Sequence, residues 1–166
     1  LLFLNRIFGT MNWEQIVGQK KLISTLIDAI DKERVSHAQL FVGEEGFGTL
    51  PLALAYAKEI LKRENEHAAS KVEHLNHLDL HFSFPVFTEK NNSLSQRLFE
   101  EFREMILENP YASINEWNEI LDAQNKQLFI SADEIDAQNQ KFALKSFEGG
   151  TKILIVWRAD KMNQAA

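Results

Sequence analysis

The stretch GEEGFGTL, from Gly43 to Leu50, decides the fold class and raises the main functional question. Gly43 and Gly48 have the spacing of a phosphate-binding loop, G-x-x-x-x-G-K-[ST]. The lysine position, however, holds Thr49, and the Ser/Thr position holds Leu50. Because glycine spacing alone is a weak signal, three interpretations stay open: a chance turn, a working site of unusual design, or a nucleotide fold without nucleotide chemistry.

The residues inside the loop argue against tight phosphate binding. Gly46 lies between the outer glycines, and Glu44 and Glu45 add two negative charges beside the expected phosphate position. Each such repulsion costs about 1–4 kcal/mol at a separation of about 4 Å, depending on the dielectric. In a working loop the lysine supplies a positive charge to the phosphates and the Ser/Thr hydroxyl binds Mg²⁺. Thr49 carries no charge, and Leu50 cannot ligate Mg²⁺. Backbone N–H groups at a helix start remain able to hold an anion weakly.

The segments on both sides of the loop have the required order. Residues 38–43 (AQLFVG) form a short apolar run that ends in glycine, which predicts a buried strand. Residues 50–63 predict a helix with Pro51 in its first turn, where a missing N–H costs little. A strand, a glycine-rich turn and a helix are the context of a phosphate-binding loop.

Further elements follow from periodicity. Residues 20–33 carry one apolar stripe at helical spacing, and residues 78–87 alternate with period two, which predicts a half-buried edge strand. Its apolar face holds Leu78, Leu80, Phe82 and Phe84, and its polar face holds Asp79, His81 and Ser83. Residues 152–157 (KILIVW) predict a central strand covered on both faces. Strands that alternate with helices predict the α/β class with a mostly parallel sheet flanked by helices.

Helix boundaries are indicated by capping residues. Residues 92–122 predict two helices, separated near residues 109–113. Capping boxes are expected for the pairs Ser113 with Glu116 and Ser131 with Glu134, and the second opens a helix that ends at Gly149 and Gly150. Residues 64–77 are the most polar stretch and are expected to form a loop.

Composition excludes several classes of protein. The 166 residues carry 24 acidic and 18 basic side chains, a net charge of −6, which argues against free-standing nucleic-acid binding. No cysteine is present, so disulfides and thiolate metal sites are excluded, and a cytoplasmic location is expected. No apolar run is long enough to span a membrane. Residues 1–10 are expected to be an upstream remnant before a natural start at Met11, with a truncated targeting segment as the alternative.

Three stretches resemble one protein family. WEQIVGQKKLISTLIDAI, RVSHAQLFVGEEGFG and KILIVWRADKMNQAA follow one another as in the N-terminal nucleotide-fold module of bacterial clamp-loader subunits, which belong to the AAA+ superfamily. The boxes IVGQ (16–19) and SHAQLFVG (36–43) are the most characteristic pieces, and the resemblance covers residues 12–166. It implies a P-loop NTPase-like fold.

The resemblance also defines the expected function. In the ATPase members, an Asp-Glu pair ends the strand that corresponds to KILIVW, and here those degenerate Walker B positions hold Trp157 and Arg158. Since the positions of Thr49 and Leu50 are also substituted, the chain resembles the non-hydrolysing, stator-like members of the family. That implies no catalytic residues, no cofactor and only a vestigial loop at Gly43, Gly46, Gly48 and Thr49.

The implied partners are sister clamp-loader subunits, both the ATPase subunits of gamma or tau type and the delta type. The sliding clamp and primer-template DNA are expected to be reached only through the assembled complex, and no membrane is involved. Two alternatives remain: an active AAA+ ATPase with substituted motifs, and an unrelated α/β domain whose glycines form a turn.

The sequence departs from the family in several places. Many relatives carry a four-cysteine zinc module after the first long helix, where this chain has residues 64–77. Histidines 67, 74, 77 and 81 lie nearby, but a polar loop before an edge strand is the simpler interpretation, so no metal is expected. Residues 89–126 exceed the family minimum. Their apolar stripe (Phe99, Phe102, Met105, Ile106) predicts packing onto the domain, with a partner surface as the alternative.

By the same resemblance, residues 11–166 are an incomplete N-terminal AAA+ module that ends after the third core strand. A fourth strand, a lid and a C-terminal collar domain are absent from this chain. In the family the fourth strand lies between the strands that correspond to 38–43 and 152–157. The resemblance therefore implies unpaired backbone groups on both strands and low stability for this piece alone.

Overall fold

The computed structural model describes residues 12–148 and 150–166. The prediction of an upstream remnant at residues 1–10 lies outside this range. The helices are α1 (Lys20–Asp31), α2 (Thr49–Glu64), α3 (Ala68–Glu73), α4 (Phe99–Glu108), α5 (Ile114–Ile120) and α6 (Ala132–Ala143). The strands are β1 (Leu80–Ser83) and β2 (Ile153–Val156), and 3₁₀ turns lie at Trp13–Gln15, Ser95–Leu98 and Ala159–Lys161.

The two strands form a small parallel sheet. Leu80 pairs with Ile153 and Ser83 pairs with Val156, and one further bond runs from Trp157 N–H to the Ser83 carbonyl (2.9 Å). Parallel strands need a long crossover, which here contains α4, α5 and α6. The predicted α/β class is thus confirmed as a two-stranded parallel sheet flanked by helices, with β1 at an edge.

The polar face of β1 is buried, so the prediction of a half-buried strand was wrong. Asp79 and Ser83 have no exposed surface: α6 lies against this face, and the Asp79 carboxylate accepts from Phe147 N–H and Glu148 N–H, both at 2.8 Å. Gln138 of α6 donates to the Phe82 carbonyl (3.0 Å), and the ring of Phe142 lies 5.5 Å from that of His81. The alternating sequence pattern correctly predicted which face of β1 is polar. A polar face can nevertheless be buried when polar groups on a neighbouring helix form hydrogen bonds with it.

The prediction of a central strand at residues 152–157 was wrong for the described part of the chain. There β2 pairs with β1 alone, and three of its four residues are only partly buried. Continuous apolar residues indicate a strand that can be covered on both faces, but they cannot supply the second neighbouring strand.

Residues 38–43 do not form a strand, which corrects the strand prediction before the glycine loop. Leu40 and Val42 are 80% and 83% exposed. Phe41 alone packs inward, with its ring 6.4 Å from that of Tyr56 on α2. A strand requires a partner about 4.8 Å away, and no described strand lies beside this segment.

The main core is aromatic and centres on Phe102. Its ring stacks on Phe84 at 3.9 Å and lies 5.7 Å from Trp117 and 5.6 Å from Trp157. The apolar stripe of α4 therefore packs onto the sheet, as the sequence indicated, since Phe102, Met105 and Ile106 are buried. A smaller cluster around Leu26 and Tyr56 joins α1 to α2.

Side-chain capping marks the start of two helices, α5 and α6. Ser113 and Glu116 form the predicted box at the start of α5. At α6 the Ser131 hydroxyl accepts from Glu134 N–H (3.1 Å), but the Glu134 carboxylate turns inward to Ser95 instead. Helix α6 ends at Ala143, before the predicted glycine pair, because Lys152 Nζ binds the carbonyls of Lys141 and Leu144.

The polar residues 64–77 contain a helix, so the prediction of a loop was wrong there. Ala68 and Val72 of α3 are buried against α2. Two small apolar side chains four residues apart were enough for one helical turn to pack, although polar residues dominate the stretch.

Candidate nucleotide loop

The glycine loop leads directly into α2. Gly46 and Gly48 have φ values of +81° and +88°, in the left-handed region that glycine favours. Gly43 is needed for space, since a Cβ there would lie 2.9 Å from Thr49 Cγ2. The three glycines therefore keep a tight turn before a helix, the backbone form on which a phosphate loop depends.

Thr49 and Leu50, the two residues that follow the loop, pack against the rest of the protein. Leu50 is 6% exposed and belongs to the main core, and Thr49 is half-buried over Gly43. Thr49 carries no positive charge, and Leu50 carries no hydroxyl that could ligate a metal ion. Their orientations follow from the apolar face that α2 turns to the sheet.

Trp157, the first of the two expected degenerate Walker B positions, is a core residue. It is 8% exposed, and its ring packs on Phe102. Indole has no ligand atom for Mg²⁺, which prefers oxygen. Trp157 thus extends the aromatic core to the end of β2.

Arg158, at the second substituted position, contacts the glycine loop. Its Nη1 lies 3.1 Å from the Glu45 carboxylate, while its Nε and Nη2 lie 2.8 and 2.9 Å from the two Asp160 oxygens. The hydrogen bonds with Asp160 raise the pKa of Arg158 and lower the pKa of Asp160. Arg158 therefore bridges two carboxylates, one of them on the glycine loop.

The connection between α4 and α5 also contacts the loop. The Glu45 carboxylate accepts a hydrogen bond from Ile114 N–H. The ring of Tyr111 covers Gly48, and its hydroxyl accepts from Val17 N–H at 3.5 Å. The IVGQ box, the glycine loop and residues 109–114 therefore meet at one place.

Three of the four histidines considered as metal ligands have side-chain contacts with other groups. His77 is buried, and its Nδ1 accepts from Asp79 N–H (3.1 Å). His74 Nδ1 lies 2.7 Å from the Ser70 carbonyl. Burial lowers the pKa of His81, which packs on Phe142. Within residues 12–148 and 150–166, no three His, Cys, Asp or Glu side chains are grouped to hold a metal ion.

Sequence reasoning missed Tyr111 and the partners of Glu45. The Glu45–Arg158 pair joins residues 113 positions apart, and Glu45 reaches Ile114 across 69 positions. No local pattern carries such pairs. The one available signal was the opposite charge of Glu45 and Arg158, once the fold had placed both at the carboxyl end of β2.

Among the described residues, no helix is both long enough and apolar enough to cross a bilayer.

Comparison with known proteins identifies the family. The family model for "DNA polymerase III, delta subunit" matches residues 18–166. The chain is 30% identical over 152 residues to DNA polymerase III subunit delta' of Bacillus subtilis (strain 168), covering 86% of this chain and 42% of the relative. It is 37% identical over 57 residues to subunit tau of the same organism, covering 34% of this chain and 10% of that relative.

No solved structure matches the chain. The chain spans less than half the length of the delta' relative. The match to the family model over nearly all described residues excludes the interpretation as an unrelated α/β domain. The chain therefore belongs to the DNA polymerase III delta prime family of clamp-loader subunits.

Proposed function

We propose that this protein is a non-hydrolysing, stator-like subunit of the bacterial DNA polymerase III clamp loader, which places the sliding clamp on DNA during replication. It contributes its fold and its surfaces to the complex and is not itself an ATPase. Its site of action is the cytoplasm, and its nucleotide fold is the N-terminal module of a longer subunit with a lid and a collar.

The observation that carries the proposal is how the side chains at the four expected catalytic positions pack and pair. These positions hold Thr49, Leu50, Trp157 and Arg158. Leu50 and Trp157 lie in the hydrophobic core, and Arg158 is committed to Glu45 and Asp160. Lysine and Mg²⁺ at such a loop supply most of the charge that stabilises phosphoryl transfer. Thr49 offers no charge, and the carboxylate of Glu45 at the loop opposes phosphate binding.

The partners follow from the relatives and are part of the proposal. A delta' protein and a tau protein are both similar to this chain. We infer that the full-length protein assembles with sister subunits of the gamma or tau type and of the delta type, and reaches the clamp and primer-template DNA through that complex. The vestigial loop at Gly43, Gly46, Gly48 and Thr49 has no catalytic role and needs no cofactor.

The test is calorimetry of Mg-ATP with the full-length protein, together with an ATPase assay of the reconstituted complex. We expect no detectable binding by the isolated subunit. Replacing Thr49→Ala should leave the turnover of the complex unchanged, whereas the equivalent lysine change in a tau-type partner should abolish it. Tight Mg²⁺-dependent binding, or turnover by this subunit alone, would restore the alternative of an active ATPase with substituted motifs.

A further inference from the structure

We propose that Tyr111, Glu45 and Arg158 form an internal lock, which holds the glycine loop closed and excludes nucleotide independently of the lost lysine. The inference rests on the proposed function, because it explains how a non-hydrolysing subunit keeps its loop closed. It goes further by naming three residues outside the substituted loop positions that close the site, and it makes the lock separable from the missing lysine.

Glu45 is the centre of the lock. Its carboxylate accepts from Ile114 N–H and pairs with Arg158 Nη1 at 3.1 Å, so one side chain ties the loop to two remote segments. Both donors are groups that a phosphate would otherwise attract. An incoming phosphate must therefore displace a carboxylate that is already bound and also overcome its negative charge.

Tyr111 closes the loop from the side of the IVGQ box. A Cβ at Gly48 would lie 3.1 Å from Tyr111 Cε1, a tight contact beneath the ring, and the φ of +88° also favours glycine there. The phenol also reaches Val17 N–H. Gly48 thus keeps a structural use in a chain without nucleotide chemistry, since it accommodates this aromatic ring.

The segment that carries Tyr111 is firmly held. Asn109 accepts from Tyr111 N–H (3.1 Å) and donates to the Glu116 carboxylate (3.0 Å), which also accepts from Ser113 N–H (2.7 Å). These hydrogen bonds lower the pKa of Glu116, led by that of the Ser113 N–H. Because the segment is braced by its own capping box, Tyr111 and Ile114 are presented to the loop in fixed positions.

Arg158 is held in a costly backbone conformation at the other side of the lock. Its φ of +60° lies in the left-handed region, which L side chains rarely adopt. The fork to Asp160 fixes the guanidinium with Nη1 free to reach Glu45. A residue that keeps such a backbone while bridging two carboxylates is placed to fasten the end of β2 to the loop.

The decisive experiment restores the phosphate-binding charge with the lock closed or open. Calorimetry with Mg-ATP compares the full-length protein carrying Thr49→Lys with a triple variant that adds Tyr111→Ala and Glu45→Ala, which removes both contacts of the Glu45 carboxylate. Glu101→Ala combined with Thr49→Lys is the matched control, because Glu101 is an exposed carboxylate on α4. Thermal melting of each variant verifies that it is folded.

We expect at least tenfold tighter binding by the triple variant than by Thr49→Lys alone, and no gain in the Glu101 control. Equal binding by Thr49→Lys and the triple variant would overturn the lock, and so would the absence of binding by a folded triple variant. Neither result concerns turnover by the natural protein, so failure of the lock remains distinguishable from failure of the proposed function.

Amide exchange gives a second readout that does not depend on nucleotide. In the Glu45→Ala variant, Ile114 N–H loses its acceptor and should exchange at least tenfold faster by NMR. Ser113 N–H is the internal control, because its acceptor is Glu116. Unchanged exchange at Ile114 would contradict the proposed role of Glu45.

Discussion

Strand β1 and the segment 38–43 are both short and rich in apolar residues, yet only β1 is a strand. β1 has β2 on one side and the aromatic core around Phe102 on one face. The segment 38–43 has no neighbouring strand in the described chain, and Leu40 and Val42 face solvent. Apolar content therefore indicates where a strand can form, while a pairing partner decides whether it does.

The largest expected effect on stability is at the aromatic core that packs against β1. Phe102→Ala should lower the free energy of unfolding by roughly 3–5 kcal/mol, because it leaves a cavity among four aromatic rings. Phe47→Ala is the matched control. Phe47 is 65% exposed on the glycine loop, so its loss should change stability by less than about 0.5 kcal/mol. Urea unfolding followed by tryptophan fluorescence measures both.

Equal costs for the two phenylalanine variants would show that the loop is packed in solution. That outcome would remove the contrast between the packed core and the loop end.

The next largest effect concerns the buried polar contacts under β1. The Glu134 carboxylate, 2% exposed, accepts from Ser95 N–H (2.8 Å), from its hydroxyl (2.7 Å) and from Gln138 (2.8 Å). Glu134→Ala leaves these buried donors unsatisfied and should cost about 3 kcal/mol. Glu134→Gln keeps one acceptor and should cost less.

Glu101→Ala on the exposed face of α4 is the control for removing a carboxylate. Chemical denaturation of the three variants checks the order of effects. A Glu134→Ala protein as stable as the Glu101→Ala protein would mean that solvent satisfies the donors, and that the polar face of β1 is open as the sequence had indicated.

The sequence predicted what local patterns encode. The stripe of α1, the first-turn Pro51 in α2 and the Ser113–Glu116 box of α5 follow from rules that span a few residues, and all three are present. The glycine spacing and the family boxes led to the correct family.

The remaining features depend on contacts between distant residues. The covering of Ser83 by α6 required knowledge of which helix lies over β1. The pairing of Arg158 with Glu45 and the contact of Tyr111 with Gly48 required the relative positions of three loops. For that reason, the glycine loop of the candidate site could be predicted from the sequence, whereas the contacts of Tyr111, Glu45 and Arg158 could not.

A smaller effect is expected from pH. Burial, and then the charges of Lys141 and Lys152, lower the pKa of His81, while Asp79 raises it and His77 lowers it. In the unfolded chain His81 has a pKa of about 6.5, so below this pH the unfolded chain binds more protons than the folded protein does. The contribution of neutral His81 to the free energy of unfolding is therefore complete above this pH, and it should be lost as pH falls from about 6.5 towards the lowered pKa of the folded state.

Unfolding free energies measured across this interval, for the natural protein and for His81→Phe, isolate the contribution. We expect the free energy of unfolding of the natural protein to fall relative to that of His81→Phe as pH falls below about 6.5. The Phe side chain should keep the aromatic contact with Phe142. A pH profile that is identical in the two proteins would show that His81 is open to solvent and that the face under α6 is less closed than the structure indicates.

The smallest effect is expected in the unpaired segment. Val42→Thr preserves the β-branched shape and replaces one exposed methyl group by a hydroxyl, so it should change the free energy of unfolding by less than about 0.5 kcal/mol. Val86→Thr is the matched control. Val86 is fully buried, and its N–H donates to the Phe129 carbonyl at 3.0 Å, so the same chemical change there buries a hydroxyl and should cost on the order of 1–3 kcal/mol.

A Val42→Thr cost close to that of Val86→Thr would mean that residues 38–43 are buried in solution, and a neighbouring strand would then have to be sought. The same pair of variants in a longer chain would show whether added residues supply that neighbour, because the cost at Val42 should rise towards that at Val86 while the cost at Val86 stays unchanged.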